Sequence, residues 1–196
     1  SATIWRAVPL GAAFCTALPV HWPAAGAALE GLLGKNPAIQ GTLAALDPIA
    51  AVCWYADSRF AAPLFIARAA GELPAEAGPL LAELAEKSWS AGSSASNPDD
   101  GRGQLHVASV ASRHGIRSPD DGERRFEVAL ARHEGWLFFS PDRRQVEAAL
   151  DVAAKRAAAL GDEQGLRGQA WLVLDPPLLA RLLRSEVQEA LPANEE

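Results

Sequence analysis

Residues 126–161 read FEVALARHEGWLFFSPDRRQVEAALDVAAKRAAALG. Three signals follow one another in this stretch. Phe126, Val128 and Leu130 alternate with Glu127, Ala129, Ala131 and His133, the period of a strand with two unlike faces. Glu134-Gly135 supplies a two-residue turn into a second apolar strand that begins at Trp136. Ser140-Pro141-Asp142 then opens a helix. Ser140 is placed to accept from the free amides at the N-cap, Pro141 to occupy the first helical position, and Asp142 to oppose the positive helix end. Val146, Ala149, Leu150, Ala153, Ala157 and Leu160 form the apolar stripe of that helix, and Gly161 ends it.

The same device recurs downstream. Residues 169–174 read as a strand, and Asp175-Pro176 caps a helix whose buried face carries Leu179, Leu182, Leu183, Val187, Ala190 and Leu191. The tail, 192–196, is expected to fray. Upstream, residues 49–56 and 60–69 flank Asp57-Ser58-Arg59 as a hairpin, with Pro63 making its second arm irregular or an edge. Residues 74–87 form a helix with Leu80, Leu81, Leu84 and Ala85 on one face. A hairpin followed by a helix therefore occurs twice, over 49–87 and 126–160, a coarse internal duplication of topology. Residues 105–112 add another strand. The Ser- and Gly-rich segment 88–104 (SWSAGSSASNPDDGRGQ) is read as a flexible loop. Near the start, 4–8 reads as a short strand, and the Ala/Leu-rich stretches 11–17, 23–33 and 37–46 read as short helices cornered by prolines. The expected class is α+β: an antiparallel or mixed sheet built from hairpins, with helices packed on one face. Strand order is left open.

Composition bounds the rest. A chain of 196 residues with 49% hydrophobic and 21% charged residues is neither disordered nor collagen-like. It suffices for one α+β domain over 1–196 that buries roughly 70% of the surface its unfolded chain exposes. A formal charge of −6 argues against nucleic acid as a partner. No run of 18 apolar residues is present. The opening Ser1-Ala2-Thr3-Ile4-Trp5 lacks a charged leader, and there is no methionine, so the chain reads as a fragment of a longer protein. Targeting signals and any membrane contact are then expected outside it.

Candidate chemistry is sparse. His21, His106, His114 and His133 have no local metal spacing. His106 and His133, on neighbouring strands, are the two that a sheet could bring together. Asp99-Asp100-Gly101 and Asp120-Asp121-Gly122 each follow a proline and read as turns rather than calcium loops. Arg143-Arg144 at a helix start reads as a solvated pair. No nucleophile elbow, P-loop or dinucleotide fingerprint is present. Cys15 and Cys53 fit no zinc or redox spacing; in their apolar company they are either free small hydrophobes or a pair closing a loop worth roughly 4 kcal/mol. Of the six tryptophans, Trp54, Trp136 and Trp171 are expected in the core, and Trp5, Trp22 and Trp89 at corners where they cap the core or form a contact surface.

The segments Ile4-Trp5-Arg6-Ala7-Val8-Pro9 and Cys15-Thr16-Ala17-Leu18-Pro19-Val20-His21-Trp22 resemble a bacterial family of unknown function. Trp54-Tyr55-Ala56-Asp57 and Gly135-Trp136-Leu137-Phe138-Phe139-Ser140 are compatible with it. The resemblance implies a longer envelope or periplasmic protein, often encoded beside bacterial alpha-2-macroglobulins. It carries no catalytic residue with it. It also implies an oxidising compartment, in which Cys15 and Cys53 pair. The expected function is thus a non-enzymatic envelope domain acting on a protein partner. No catalytic, metal or cofactor-binding residue and no cofactor is assigned, and oligomeric state is left open. The alternative is a domain that binds a small molecule or lipid between sheet and helices. A hydrolase with widely scattered residues is the third reading.

Overall fold

The hairpin at 134–135 organises the molecule. In the computed structural model, which describes residues 3–33, 37–70, 95–97, 104–111, 125–162 and 171–190, it joins β6 (Arg125–His133) to β7 (Trp136–Ser140). Glu134 takes the left-handed conformation at the turn, with φ 51°. Before it in the chain lie a 3-10 turn (Ile4–Ala7), β1 (Ala12–Pro19), α1 (Trp22–Leu33), α2 (Pro37–Ala44), β2 (Ile49–Tyr55), β3 (Leu64–Arg68), β4 (Ala95–Asn97) and β5 (Gln104–Ala111). After it come α3 (Arg143–Ala153), a second 3-10 turn (Leu160–Asp162), β8 (Leu172–Leu174) and α4 (Pro176–Ala190).

The eight strands among the described residues form one sheet in the order β4-β5-β6-β7-β3-β2-β1-β8, and every pairing between them is antiparallel. The chain is therefore α+β, with a sheet built from hairpins as the sequence implies. The two hairpins, β2–β3 and β6–β7, meet where β3 pairs β7. The helix expected over 74–87 lies outside the described residues.

Registers across the sheet explain the core. Ala17, Ala51, Ile66, Phe138, Ala131 and Leu105 stand side by side from β1 to β5, and all are buried. On the same face, Cys15 stands opposite Cys53, Cys53 opposite Leu64, Ser140 opposite Ala129, and Ala129 opposite Val107. α3 packs on this face through Val146, Ala149 and Leu150. The alanines leave room for it, while Ile66 and Phe138 fill the middle.

Cys15 and Cys53 are joined as a disulfide, their Cα atoms 4.1 Å apart. The reading as free buried thiols is thus corrected. Directly opposed positions on adjacent strands bring the two sulfurs together, which spacing in the sequence does not reveal.

Other expectations also change. In the segment 4–8, read as a strand, Ile4–Ala7 is a 3-10 turn. The segment 11–17, read as a helix, lies mostly in β1 (Ala12–Pro19), because the sheet uses both edges of this Ala-rich stretch, against β2 and β8. Within the expected loop 88–104, Ala95–Asn97 is a strand paired with Leu105–Val107, and Gln104 already begins β5. The rest of 88–104 lies outside the described residues. α3 begins at Arg143, since Asp142 is its N-cap and Ser140 Oγ accepts from Asp142 N at 3.0 Å. It ends early, before Lys155, which adopts a left-handed φ of 59°.

Trp5, expected at a corner, is in the core. Of the three expected there, Trp136 is half-buried and packs against the core, Trp54 is half-buried on the other face, and Trp171 is exposed at the sheet edge. The pleat decides this: Trp54 follows Cys53 and so points to the opposite face. On that second face α4 sits over Phe14 and Trp54, so the expected one-sided packing describes α3, and α4 adds cover on the other side. Asp175 caps α4 as read, accepting from Leu178 N at 3.0 Å.

Candidate functional site

Pro63 ends the irregular connection between β2 and β3, so residues 56–63 bulge from one end of the sheet. That loop meets the start of α3 and the last turns of α4, and two cavities form around it. The larger, about 940 Å³, is lined by Asp57, Ser58 and Arg59 of the loop, Asp142, Arg143 and Arg144 at the α3 start, and Ser185 and Glu186 of α4, with small apolar residues between them. Its size is within the range of small-molecule sites.

The charges in it are largely matched to each other. Arg144 donates to Asp142 twice, Nη2 to Oδ2 at 2.7 Å and Nε to Oδ1 at 3.1 Å, and reaches the Asp57 carbonyl at 3.2 Å. The hydrogen bonds to Asp142, then its charge, raise the Arg144 pKa further above its already high value. Arg143 Nε donates to Glu147 Oε1 at 2.8 Å, one turn along α3. Glu186 Oε1 accepts from Phe60 N at 2.8 Å. Arg143-Arg144, read as a solvated pair, is thus two separately partnered cations on one helix end.

Below the cavity, Tyr55 is buried and donates to the Pro9 carbonyl at 3.0 Å. Burial, and secondarily the negative charge of Asp57, push its phenol above the ordinary range. Ser58 Oγ is spent on the Tyr55 carbonyl at 3.0 Å. Among the described residues the lining holds no histidine or cysteine, and Ser58 Oγ has the Tyr55 carbonyl as its partner. The arrangement is one that can hold a polar group.

The second cavity, about 280 Å³, lies between α4 and the second face of the sheet. Phe14 and Trp54 of the sheet, Phe60 of the loop and Leu179, Leu182 and Leu183 of α4 line it. Trp54 Nε1 donates to the Phe60 carbonyl at 2.9 Å, so the indole has its hydrogen bond without facing the cavity's interior.

The residues singled out from the sequence lie elsewhere. His106 pairs with Leu130, and His133 stands three residues further along β6. An odd offset puts the two positions on opposite faces, so the sheet does not unite them. His21 is exposed at the start of α1, where its carbonyl accepts from Ala24 and Ala25. His114, Asp99, Asp100, Asp120 and Asp121 lie outside the described residues. Among the described residues no three of His, Cys, Asp and Glu gather as metal ligands, and no helix is long and apolar enough to cross a membrane. The tryptophans expected at corners, where they would cap the core or form a contact surface, are Trp5, Trp22 and Trp89. Trp5 is buried, Trp22 is half-buried with Nε1 on the Asp47 carbonyl, and Trp89 lies outside the described residues.

Sequence reading took Asp57 and Arg59 only as a hairpin loop, placed Phe60 in the strand after it, and passed over Glu186. The one available signal was Pro63, which places residues 60–62 in the loop rather than in the strand.

Comparison with known proteins gives a family but no activity. Residues 1–196 match the family described as uncharacterized protein conserved in bacteria (DUF2138). "Uncharacterized protein YfaA" of Escherichia coli (strain K12) is 32% identical over 207 residues, covering 97% of this chain and 36% of that protein. The chain thus spans about a third of the length of that curated relative. No solved structure matches it.

Proposed function

The chain belongs to this DUF2138 family of proteins conserved in bacteria, and from that premise we propose that it is a non-enzymatic domain of an envelope protein that acts by binding another protein. One observation carries this reading: large apolar side chains are left open together on the second face of the sheet. Leu172, Thr16, Val52, Phe65 and Phe139 stand side by side from β8 to β7. Leu172 is 54% exposed and Phe65 40%. Leu18 and Leu174 on the neighbouring strands are exposed as well, as are Leu183 and Val187 of α4. Single apolar residues scattered over a surface need no explanation, but a set sharing one face marks a contact site.

The compartment rests on two supports. The opening segments resemble envelope proteins, and a Cys15–Cys53 disulfide suits an oxidising environment. Any membrane attachment would belong to parts of the protein outside this chain, and the partner would be another envelope protein rather than nucleic acid.

Site-specific photocrosslinking in cells tests the reading, with the reactive group at position 65 or 172 of the full-length protein. A position on exposed α3 surface, Arg143, serves as control. We expect the same protein to be captured from positions 65 and 172, not from 143, and in the periplasmic fraction. Capture no greater than at the control refutes the contact surface, and a cytoplasmic location refutes the compartment.

A further inference from the structure

We propose that the slot between α4 and the second face of the sheet binds one unbranched hydrocarbon chain of about eight to ten carbons. Trp54 stands at the centre of a row of three rings, with centroids 5.4 Å from Phe14 and 5.7 Å from Phe60. That row forms one wall. Leu179, Leu182 and Leu183, at helical spacing on one face of α4, form the other. Three rings in succession make an elongated slot, which suits a chain better than a compact ring.

The walls are tied at the rim by polar bonds. Trp54 Nε1 donates to the Phe60 carbonyl, and Phe60 N donates to Glu186 of α4. The separation of the walls is therefore set by hydrogen bonds and not by collapse of the apolar side chains onto each other. The slot holds about 280 Å³ and opens to solvent on one side, where Phe60 and Leu183 are exposed. Among the described residues its lining is wholly apolar. A bound water needs two to four polar partners, which these walls do not offer. A ligand with a polar group inside would lose that group's hydrogen bonds, so the inserted part is hydrocarbon throughout and any head group stays outside. The length follows from the volume of about 280 Å³ if each methylene takes about the space of one water in the liquid, roughly 30 Å³.

The slot shares Leu183 with the proposed contact face, but the inference rests on the ring row and the volume and not on that reading, and it is tested with the chain as it stands. Normal alcohols from hexanol to dodecanol are titrated while the methyl resonances of Leu179, Leu182 and Leu183 are followed. Affinity should rise about fourfold per added methylene and level off near ten carbons. Leu183→Trp, at an already exposed position, should fill the slot and cut affinity at least about tenfold while leaving the melting temperature in place. Phe60→Ala, which removes one of the three rings of that wall, should weaken binding also and guards against a folding defect in the first variant. A parallel titration with dioctanoyl phosphatidylglycerol separates the two sources of such a chain. Binding at least as tight as octanol's assigns a phospholipid chain, and weaker binding a free one. No binding, a flat series, a rise without a plateau, or affinity unchanged in both variants overturns the proposal.

Discussion

Replacing Gly161 by alanine should destabilise the fold, and the size of the effect can be worked from its surroundings. Gly161 lies in the second 3-10 turn, which packs against the first. A Cβ there would stand 2.9 Å from the Trp5 carbonyl carbon and 3.1 Å from both Arg6 N and Trp5 O. All three are backbone atoms, and the Trp5 ring behind them is buried, so none can swing aside. The two segments are also bonded, Leu160 N to the Val8 carbonyl at 2.8 Å, with a bridge between Pro9 and Ala159. Overpacking of this kind costs about 1–3 kcal/mol. Against it stands a gain of about 0.4–1 kcal/mol, because alanine restricts the unfolded chain. With each range taken at its middle the net loss is about 1.3 kcal/mol, a melting temperature lower by roughly 3–5 °C for a chain of this length. Gly41→Ala is the control of opposite sign. Gly41 is exposed in α2, a Cβ there meets nothing within 4 Å, and the change should add up to about 1 kcal/mol through helix propensity. Calorimetry of the three proteins decides it. A Gly161→Ala protein that melts at or above the parent temperature would refute the packing argument, as would two variants that shift in the same direction.

Tyr55 is the only tyrosine, so its ionisation can be read directly as tyrosinate absorbance. Its folded pKa is raised, chiefly by burial, so the neutral phenol's stabilisation is full below about pH 10, the unfolded value, and declines as pH rises above it. Tyrosinate should therefore appear only with alkaline unfolding, and titration near pH 10 in the folded protein would contradict this. Cys15→Ala/Cys53→Ala should lower stability by up to about 4 kcal/mol, the loop-closure value for a separation of 38 residues; detection of two free thiols in the unreduced native protein would remove the basis for it. The Gln145 side chain is buried with neither amide atom hydrogen-bonded among the described residues. Gln145→Met keeps the length and removes both polar atoms, and should raise stability by about 1–3 kcal/mol in urea unfolding. A loss instead would mean that the amide has a partner.

The fold was legible wherever side chains of different character alternate or a cap is spelled out. Phe126 to His133, the turn at Glu134-Gly135 and the Asp175 cap all carry their conformation locally. β1 does not: Ala12, Ala13 and Ala17 give no period, and alanine favours helix. Their role comes from the sheet as a whole, where small residues in β1, β2 and β6 accommodate the bulk of Ile66, Phe138 and α3 on the same face. The cystine is hidden for the same reason, since it depends on the β1–β2 register. The cavities were less legible still. Their walls come from 14, 54–62, 141–144 and 179–186, and no one of these segments is unusual by itself.

Their position nevertheless follows from the duplication that the sequence does contain. The order β5-β6-β7-β3-β2-β1 places the two hairpin-bearing halves on either side of the antiparallel β3–β7 pair. A half-turn about an axis normal to the sheet at that pair relates them, so the two hairpin connections fall at opposite ends. Leu64, the first residue of β3, lies beside Ser140, the last of β7, and this puts the loop 56–63 next to the start of α3. The other connection is the two-residue turn at 134–135, with too few side chains to line anything. One end of a nearly symmetric sheet is closed tightly, and the other, where a proline keeps the β2–β3 connection long, has the surface from which both cavities are made.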